Sequence, residues 1–226
     1  REVLLTHLGE HATVERDRMG SILFIREGSS PEPRVFLDAH LDEVGFLVQS
    51  ITEKGFLRMV PVGGWWGHVL PAQRVLVLAQ TGPIPGVVAS VPPHFLSAAE
   101  REKVRSVDEL HVDIGASGSD AVADLGIRPG DPIVPEAAFR TLADPDLVSG
   151  KAFDDRAGCC AMVRAVLELD DHPNTLIASG SAQEEVGLRG AATAVETAQP
   201  DIALILEGTP ADDVPGAEKH GLQGKL

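Results

Sequence analysis

The sequence predicts an α/β domain that is interrupted by a small all-β domain. Near both ends of the chain, apolar segments of strand length alternate with polar turns or helical segments, a pattern typical of a mostly parallel sheet covered on both faces. From about 44 to 134, short β-rich segments are broken by Gly and Pro about every eight to twelve residues, which indicates a small barrel or sandwich. We therefore expect 44–134 to be inserted between the two parts of one α/β domain, 1–43 and 135–226.

The flanking segments supply the elements of the α/β domain in chain order. Two short apolar strands at 22–25 and 35–37 come first, and the second ends at Asp38. After the insertion, helical and strand patterns alternate in "GCCAMVRAVLEL", "NTLIASGSAQ", "LRGAATAVETA" and "DIALILEGT". Because ligand sites in such sheets form at the carboxyl ends of the strands, the polar residues that follow each strand are the functional candidates.

Charge and cysteine content exclude several classes of protein. Lys and Arg number 19 and Asp and Glu number 34, a formal charge of −15 that repels nucleic acid and anionic membranes. No apolar segment approaches the roughly 20 residues of a membrane span. Cys159 and Cys160 are adjacent, and so few cysteines argue against an oxidised secreted scaffold. We expect a cytoplasmic protein with buried thiols and without nucleic-acid or membrane partners.

Histidine and carboxylate residues lie at the carboxyl ends of the predicted strands or in loops just beyond them. They are His40 and Asp42 in "AHLDE", Asp154 and Asp155 in "AFDDRAG", Glu184 and Glu185 in "QEEVGLRGA", and Glu207 after "IALIL". Taken alone, the first motif is explained by chance, the second by helix capping, and the third by an exposed Glu pair at a helix start. Gathered at one sheet edge, these carboxylates would repel one another unless cations neutralised them. Mixed imidazole and carboxylate ligands suit Zn²⁺, Co²⁺ or Mn²⁺.

Several motifs resemble, in order and spacing, one enzyme family. They are "HLDEVGFLV", "VGGWWG", "GVVASVPPHFL", "HVDIGA", "GIRPGD", "GKAFDDRAG", "SAQEEVGLRGA" and "LILEGTPADDVPG". Together they are similar to the glutamyl-aminopeptidase/endoglucanase-M family of co-catalytic metallo-aminopeptidases, the tetrahedral (TET) peptidases. The resemblance covers nearly the whole chain. It implies an aminopeptidase-type three-layer α/β/α domain, an inserted β-barrel dimerisation domain, and homo-oligomers that are commonly dodecamers.

The resemblance also implies a ligand set for two divalent metal ions, with Zn²⁺ favoured over Co²⁺ or Mn²⁺. His40 and Glu207 would bind the first metal, and Glu185 would bind the second. Asp154 would bridge both metals, with a cis peptide bond to Asp155.

The same resemblance implies the chemistry. Glu184 would be the general base, and Asp42 would orient His40 through its carboxylate. The reaction would be hydrolysis of the N-terminal peptide bond of peptide substrates. Three alternatives stay open at this point: a related binuclear amidase or deacylase, a glycosidase as the endoglucanase name suggests, and a non-catalytic relative.

The sequence departs from the family pattern near its end. The family carries a further histidine ligand in a C-terminal "HS"-type motif, and this chain reaches Leu226 without one. His220 follows Glu207 too closely to replace it, and Asp212 and Asp213 are assigned to a turn. We therefore expect the chain as given to hold the second metal weakly and to be poorly active or inactive.

Overall fold

A computed structural model describes residues 1–211 and 215–216 of the chain. Two compact units are present, Arg1–Asp42 with Ala152–Leu226, and Glu43–Lys151. The first unit is α/β and the second contains a closed barrel, which confirms the predicted fold class. The predictions for Asp212, Asp213 and His220 concern residues outside this description.

The helices and strands are numbered along the chain. The helices are α1 (Glu2–Leu8), α2 (Ala98–Arg101), α3 (Ser119–Asp124), α4 (Phe153–Glu168) and α5 (Arg189–Ala198). The strands are β1 (Thr13–Arg16), β2 (Ile22–Arg26), β3 (Val35–His40), β4 (Gly45–Ile51), β5 (Leu57–Val62), β6 (Arg74–Ala79), β7 (Gly82–Ala89), β8 (His111–Asp113), β9 (Pro132–Pro135), β10 (Arg140–Thr141), β11 (Val148–Ser149), β12 (Leu176–Ser181) and β13 (Ile202–Ile205).

The sheet of the α/β unit has the order β1-β2-β12-β3-β13. β12 and β13 both run parallel to β3, whereas β2 is antiparallel to both β1 and β12. The expectation of a mostly parallel sheet is therefore wrong for its β1–β2 side. The prediction that the second strand ends at Asp38 is also wrong, because β3 pairs with β12 as far as His40.

Helices cover both faces of this sheet, as a three-layer domain requires. On one face, Leu8 of α1 and Met162 of α4 pack against Phe24 of β2. On the other face, Ala194 of α5 lies in one cluster with Ile177 of β12. Small alanines on α5 let this helix lie close to the sheet.

The two cysteines of α4 differ in their surroundings. Cys159 is buried, and burial raises the pKa of its thiol to about 11. Cys160 is exposed, so the expectation of two buried thiols is wrong for this residue. Consecutive helical residues point about 100° apart because the helix has 3.6 residues per turn, and only one of the pair can face the sheet.

The second unit contains a closed six-stranded barrel of order β4-β5-β8-β7-β6-β9. Its interior is filled by aliphatic side chains such as Leu57 and Ile133, both fully buried. Trp65 stacks on Phe46 with ring centroids 4.7 Å apart, and its indole N–H donates to the Gly45 carbonyl oxygen at 2.9 Å.

The second unit extends beyond the boundary at 134 that the sequence suggested. The segment after β9 includes the β10–β11 hairpin, and Lys151 forms an ion pair with Glu43 at the other end of the unit. Within the described residues, no helix combines the length and the apolarity needed to cross a membrane.

We expect Leu57→Ala to lower the free energy of unfolding by about 2–5 kcal/mol, because it removes a fully buried side chain from the barrel interior. Leu78→Ala, in strand β6 of the same barrel, is the matched control, since Leu78 is 39% exposed. Urea unfolding followed by circular dichroism measures both variants. Equal losses for the two would contradict this account of the barrel core.

Candidate metal centre

Three parallel strands of the α/β unit end at the same edge of the sheet. In the paired register, His40 at the end of β3 lies opposite Ser181 at the end of β12. Ile205, the last residue of β13, lies opposite Asp38. The chain therefore leaves all three strands at one edge, and the acidic residues that follow them come together there.

The imidazole of His40 is the centre of this group. Its exposed fraction is 2%. Its Nε2 lies 2.7 Å from Asp154 Oδ1, 3.6 Å from Glu207 Oε1 and 3.8 Å from Glu184 Oε2. Its Nδ1 lies 3.0 Å from the main-chain oxygen of Asp42. One buried imidazole thus faces carboxylates from three different segments of the chain.

Three of the predicted ligands lie close enough together to bind one metal ion. Ligand atoms of His40, Asp154 and Glu185 all lie within 4.8 Å of one another. Glu207 completes the surroundings of His40, and the peptide bond between Asp154 and Asp155 is cis. The six residues to which the resemblance gives a ligand, base or orienting role are therefore gathered in one place: His40, Asp42, Asp154, Glu184, Glu185 and Glu207.

Asp42 has different partners from those the sequence suggested. Its carboxylate accepts hydrogen bonds from the backbone N–H groups of Glu184 and Glu185, at 3.0 and 3.2 Å. Its Oδ1 is 3.8 Å from His40 Nδ1. The main-chain oxygen of Asp42, rather than its carboxylate, is the nearer acceptor for the imidazole. Asp42 therefore links the histidine to the segment that carries both glutamates.

Asp155 has a role that the motif "FDD" did not reveal. Its side chain is fully buried. One carboxylate oxygen accepts from the backbone N–H of His40 at 3.1 Å, and the other accepts from Gly158 at 3.0 Å. A Cβ on Gly158 would lie 2.4 Å from that carboxylate, so only glycine fits there. Asp155 ties the end of β3 to the start of α4, a contact across 115 positions of sequence that no local pattern predicts.

The electrostatics of the cluster favour bound protons in the absence of a cation. Burial opposes the charged form of His40, but the hydrogen bond to Asp154 and the negative charges of Glu207 and Glu184 together raise its pKa. Burial, with the nearby Asp154 carboxylate, raises the pKa of Glu185 and of Glu207. Both nitrogens of His40 face oxygen atoms, so a protonated imidazole would place an N–H where a cation could lie.

The donor set suits a divalent transition metal. With Nδ1–H donated to the Asp42 carbonyl oxygen, the electron pair of Nε2 points toward the carboxylates, which is the arrangement of a metal-binding histidine. A cation there would replace the proton and relieve the repulsion between carboxylates. His40, Asp154, Glu185 and Glu207 could supply its ligands.

A family model for the M42 glutamyl aminopeptidases matches residues 20–225. This chain belongs to that family. The match confirms the resemblance of the sequence motifs.

Individual M42 relatives agree with this assignment. The glutamyl aminopeptidase of Lactococcus lactis subsp. cremoris (strain MG1363) is 36% identical over 214 residues, covering 92% of this chain and 60% of the relative. The chain spans less than two thirds of the length of the curated relatives that it matches first.

Solved structures show the same fold. The TET aminopeptidase of the marine sediment archaeon Thaumarchaeota archaeon SCGC AB-539-E09 superposes with a TM-score of 0.91 at 40% identity, covering 95% of this chain and 62% of that one. The TET1 peptidase of Pyrococcus horikoshii, described as able to assemble into a tetrahedron or a large octahedral shell, gives a TM-score of 0.81 at 31% identity, covering 95% and 66%.

We expect the metal-free protein to become less stable as the pH rises through and above the ordinary pKa of histidine, about 6.5. The raised pKa values of His40, Glu185 and Glu207 mean that the native state binds more protons than the unfolded state in this range. The stability that each group contributes is fully present below the pKa of that group in the unfolded state. It is lost as the pH rises through the pKa of the same group in the folded state.

Urea unfolding in EDTA at several pH values measures this dependence. His40→Gln should flatten the slope, because it removes the titrating imidazole. A free energy of unfolding that stays constant or increases toward pH 8 would contradict the electrostatic account.

Proposed function

We propose that this M42 chain carries the catalytic centre of a metal-dependent aminopeptidase that removes N-terminal residues from peptides. The observation that carries the proposal is the placement of His40 Nε2 within 3.8 Å of carboxylate oxygens from Asp154, Glu207 and Glu184. The name of the matching family supports the reaction class.

Glu184 is proposed as the general base. Its carboxylate is half-buried, with 24% of the side chain exposed, and its backbone N–H is held by Asp42. A carboxylate fixed beside the ligand cluster can accept a proton from the attacking water and pass it to the amine that leaves. The ligand atom of Glu185 lies within 4.8 Å of those of His40 and Asp154, and Glu185 is proposed as a metal ligand. The two adjacent glutamates therefore have different functions in this proposal.

The ligand residues are proposed to hold two divalent cations, Zn²⁺ first, with Co²⁺ or Mn²⁺ as alternatives. Such cations, when bound, lower the pKa of water and polarise the scissile carbonyl group. His40 and Glu207 would serve one ion, Glu185 the other, and Asp154 both. Asp42 holds the backbone of Glu185, and Asp155 holds the backbone of His40.

Assembly and location are also proposals. We infer a homo-oligomer built from dimers through the barrel unit, up to a dodecamer. The support is that the P. horikoshii TET1 peptidase is described as able to assemble into a tetrahedron or a large octahedral shell. Light scattering coupled to size-exclusion chromatography measures the mass. The cytoplasmic location expected from the low cysteine count stays a prediction.

Because the chain as given is expected to be poorly active, the test uses a protein extended past Leu226 to carry the further histidine ligand that the resemblance implies. In that protein, Glu184→Gln is expected to lower turnover of aminoacyl p-nitroanilides by about 10²- to 10⁴-fold, because the amide cannot accept the proton. Its Zn²⁺ affinity, measured by isothermal titration calorimetry, should stay close to that of the unmodified chain. Glu185→Gln should weaken Zn²⁺ binding. Glu196→Gln, on the exposed side of α5, is the control for loss of a glutamate charge.

The substrate panel should include N-acetylated versions of each aminoacyl substrate. An aminopeptidase requires the free α-amino group and leaves these blocked compounds intact. Cleavage of blocked substrates alone would overturn the aminopeptidase proposal in favour of an amidase or deacylase. Unchanged turnover in Glu184→Gln would overturn the assignment of the base.

A further inference from the structure

The segment 182–190, here named the glutamate loop, runs from the end of β12 into the first turn of α5 and carries Glu184 and Glu185. Its backbone departs from relaxed geometry. Gln183 and Leu188 have positive φ angles of 59° and 58°, and Gly187 has φ 120°. Residues other than glycine rarely adopt such angles, and they persist only where the surrounding structure holds them. The loop therefore depends on contacts that fix its ends and its tip.

Asp42 holds the tip, through the backbone N–H groups of Glu184 and Glu185. The base of the loop is closed by a second residue from a distant part of the chain. Ser21, fully buried just before β2, accepts a hydrogen bond from the backbone N–H of Ala182 at 3.3 Å. Its hydroxyl donates to the carbonyl oxygen of Gly190 at 3.5 Å. One hydroxyl thus bonds the first and the last residue of the loop.

The two ends of the loop lie in direct backbone contact at this point. A Cβ on Gly190 would lie 2.1 Å from the Ala182 carbonyl oxygen and 2.4 Å from its nitrogen. No side chain fits between the ends. The backbone N–H of Ala182 and the carbonyl oxygen of Gly190 therefore need a hydrogen-bond partner that lies beside the two ends. Ser21 occupies that position.

Ser21 is itself held by a small network. Asp17 Oδ1 accepts from the backbone N–H groups of Gly20 and Ser21, both at 2.7 Å. Asp17 Oδ2 accepts from the hydroxyl of Thr193, in the first turns of α5, at 2.5 Å. Burial raises the pKa of Asp17, but these hydrogen bonds outweigh it and lower the pKa. The Asp17 carboxylate is thus ionised at neutral pH and joins the β1–β2 turn to the helix that follows the loop.

We propose that Ser21 is a positioning residue for the metal centre: its hydroxyl sets the conformation of the glutamate loop and thereby the placement of Glu185 and Glu184. Its two hydrogen bonds go to the backbone of Ala182 and Gly190 and not to the carboxylate of Glu184 or Glu185. The inference rests on the proposed function for the roles of the two glutamates, while the clamp on the loop ends stands on the hydrogen bonds alone.

Ser21→Ala in the full chain tests the proposal through two readouts. The first is hydrogen exchange of the Ala182 amide, expected to accelerate at least about tenfold, while the Ala178 amide in the middle of β12 keeps its rate as internal reference. The second is Zn²⁺ affinity by calorimetry, expected to fall by about 10- to 100-fold, the range found when residues that orient metal ligands are removed. Ser179→Ala is the matched control, since Ser179 is an equally buried serine of β12 outside the loop.

Thr193→Val is a second, milder variant. It keeps the shape of a half-buried side chain and removes the hydroxyl that bonds Asp17 and Gly190. Exchange of the Ala182 amide should accelerate and the Zn²⁺ affinity should fall, each by less than in Ser21→Ala. If Ser21→Ala does not fold, this variant decides the question, and wild-type values for it would overturn the proposal.

Other outcomes are equally decisive. Unchanged Ala182 exchange in a folded Ser21→Ala protein overturns the clamp. Faster exchange with unchanged Zn²⁺ affinity overturns the positioning role. If the unmodified chain binds no Zn²⁺, the proposed function fails, and the exchange of Ala182 alone then supports or overturns the clamp.

Discussion

The repulsion among carboxylates gathered around the His40 imidazole is the constraint on which the α/β unit depends. Asp154, Glu184 and Glu207 each place an oxygen within 3.8 Å of Nε2. Such a group holds together without a cation only by binding protons, as the raised pKa values of His40, Glu185 and Glu207 indicate. A divalent cation would neutralise the repulsion between these carboxylates, so the cluster has the electrostatic character of a metal-binding site.

Keeping repelling groups together requires a rigid frame, and the frame is made of backbone anchors. Asp155 holds the backbone of His40, and Asp42 holds the backbones of both glutamates. Ser21 joins the ends of the loop from the opposite side. In each case a side chain that is not itself a proposed ligand accepts a backbone N–H and fixes the segment that carries the functional groups. The residues that would bind the metal are thus different from the residues that hold their backbone in place.

The barrel unit meets a different requirement. Its strands close on themselves in the order β4-β5-β8-β7-β6-β9, so its ladder needs no neighbouring sheet to cover an edge. An aliphatic interior and the stacked pair Phe46 and Trp65 stabilise it. A self-contained barrel can be inserted into another domain because its own core supplies its stability.

The sequence by itself determined the alternation of strands and helices, the insertion of a β domain, and the residues that form the acidic cluster. Local periodicity and residue type carry this information, since parallel strands bring the residues beyond their carboxyl ends to one edge.

Only the tertiary structure decided the direction of β2, the extension of β3 to His40, the exposure of Cys160, and the partners of Asp42, Asp155 and Ser21. The supporting hydrogen bonds join positions 115 to 169 residues apart. Contacts of that separation follow from how whole elements pack, which no local sequence pattern encodes.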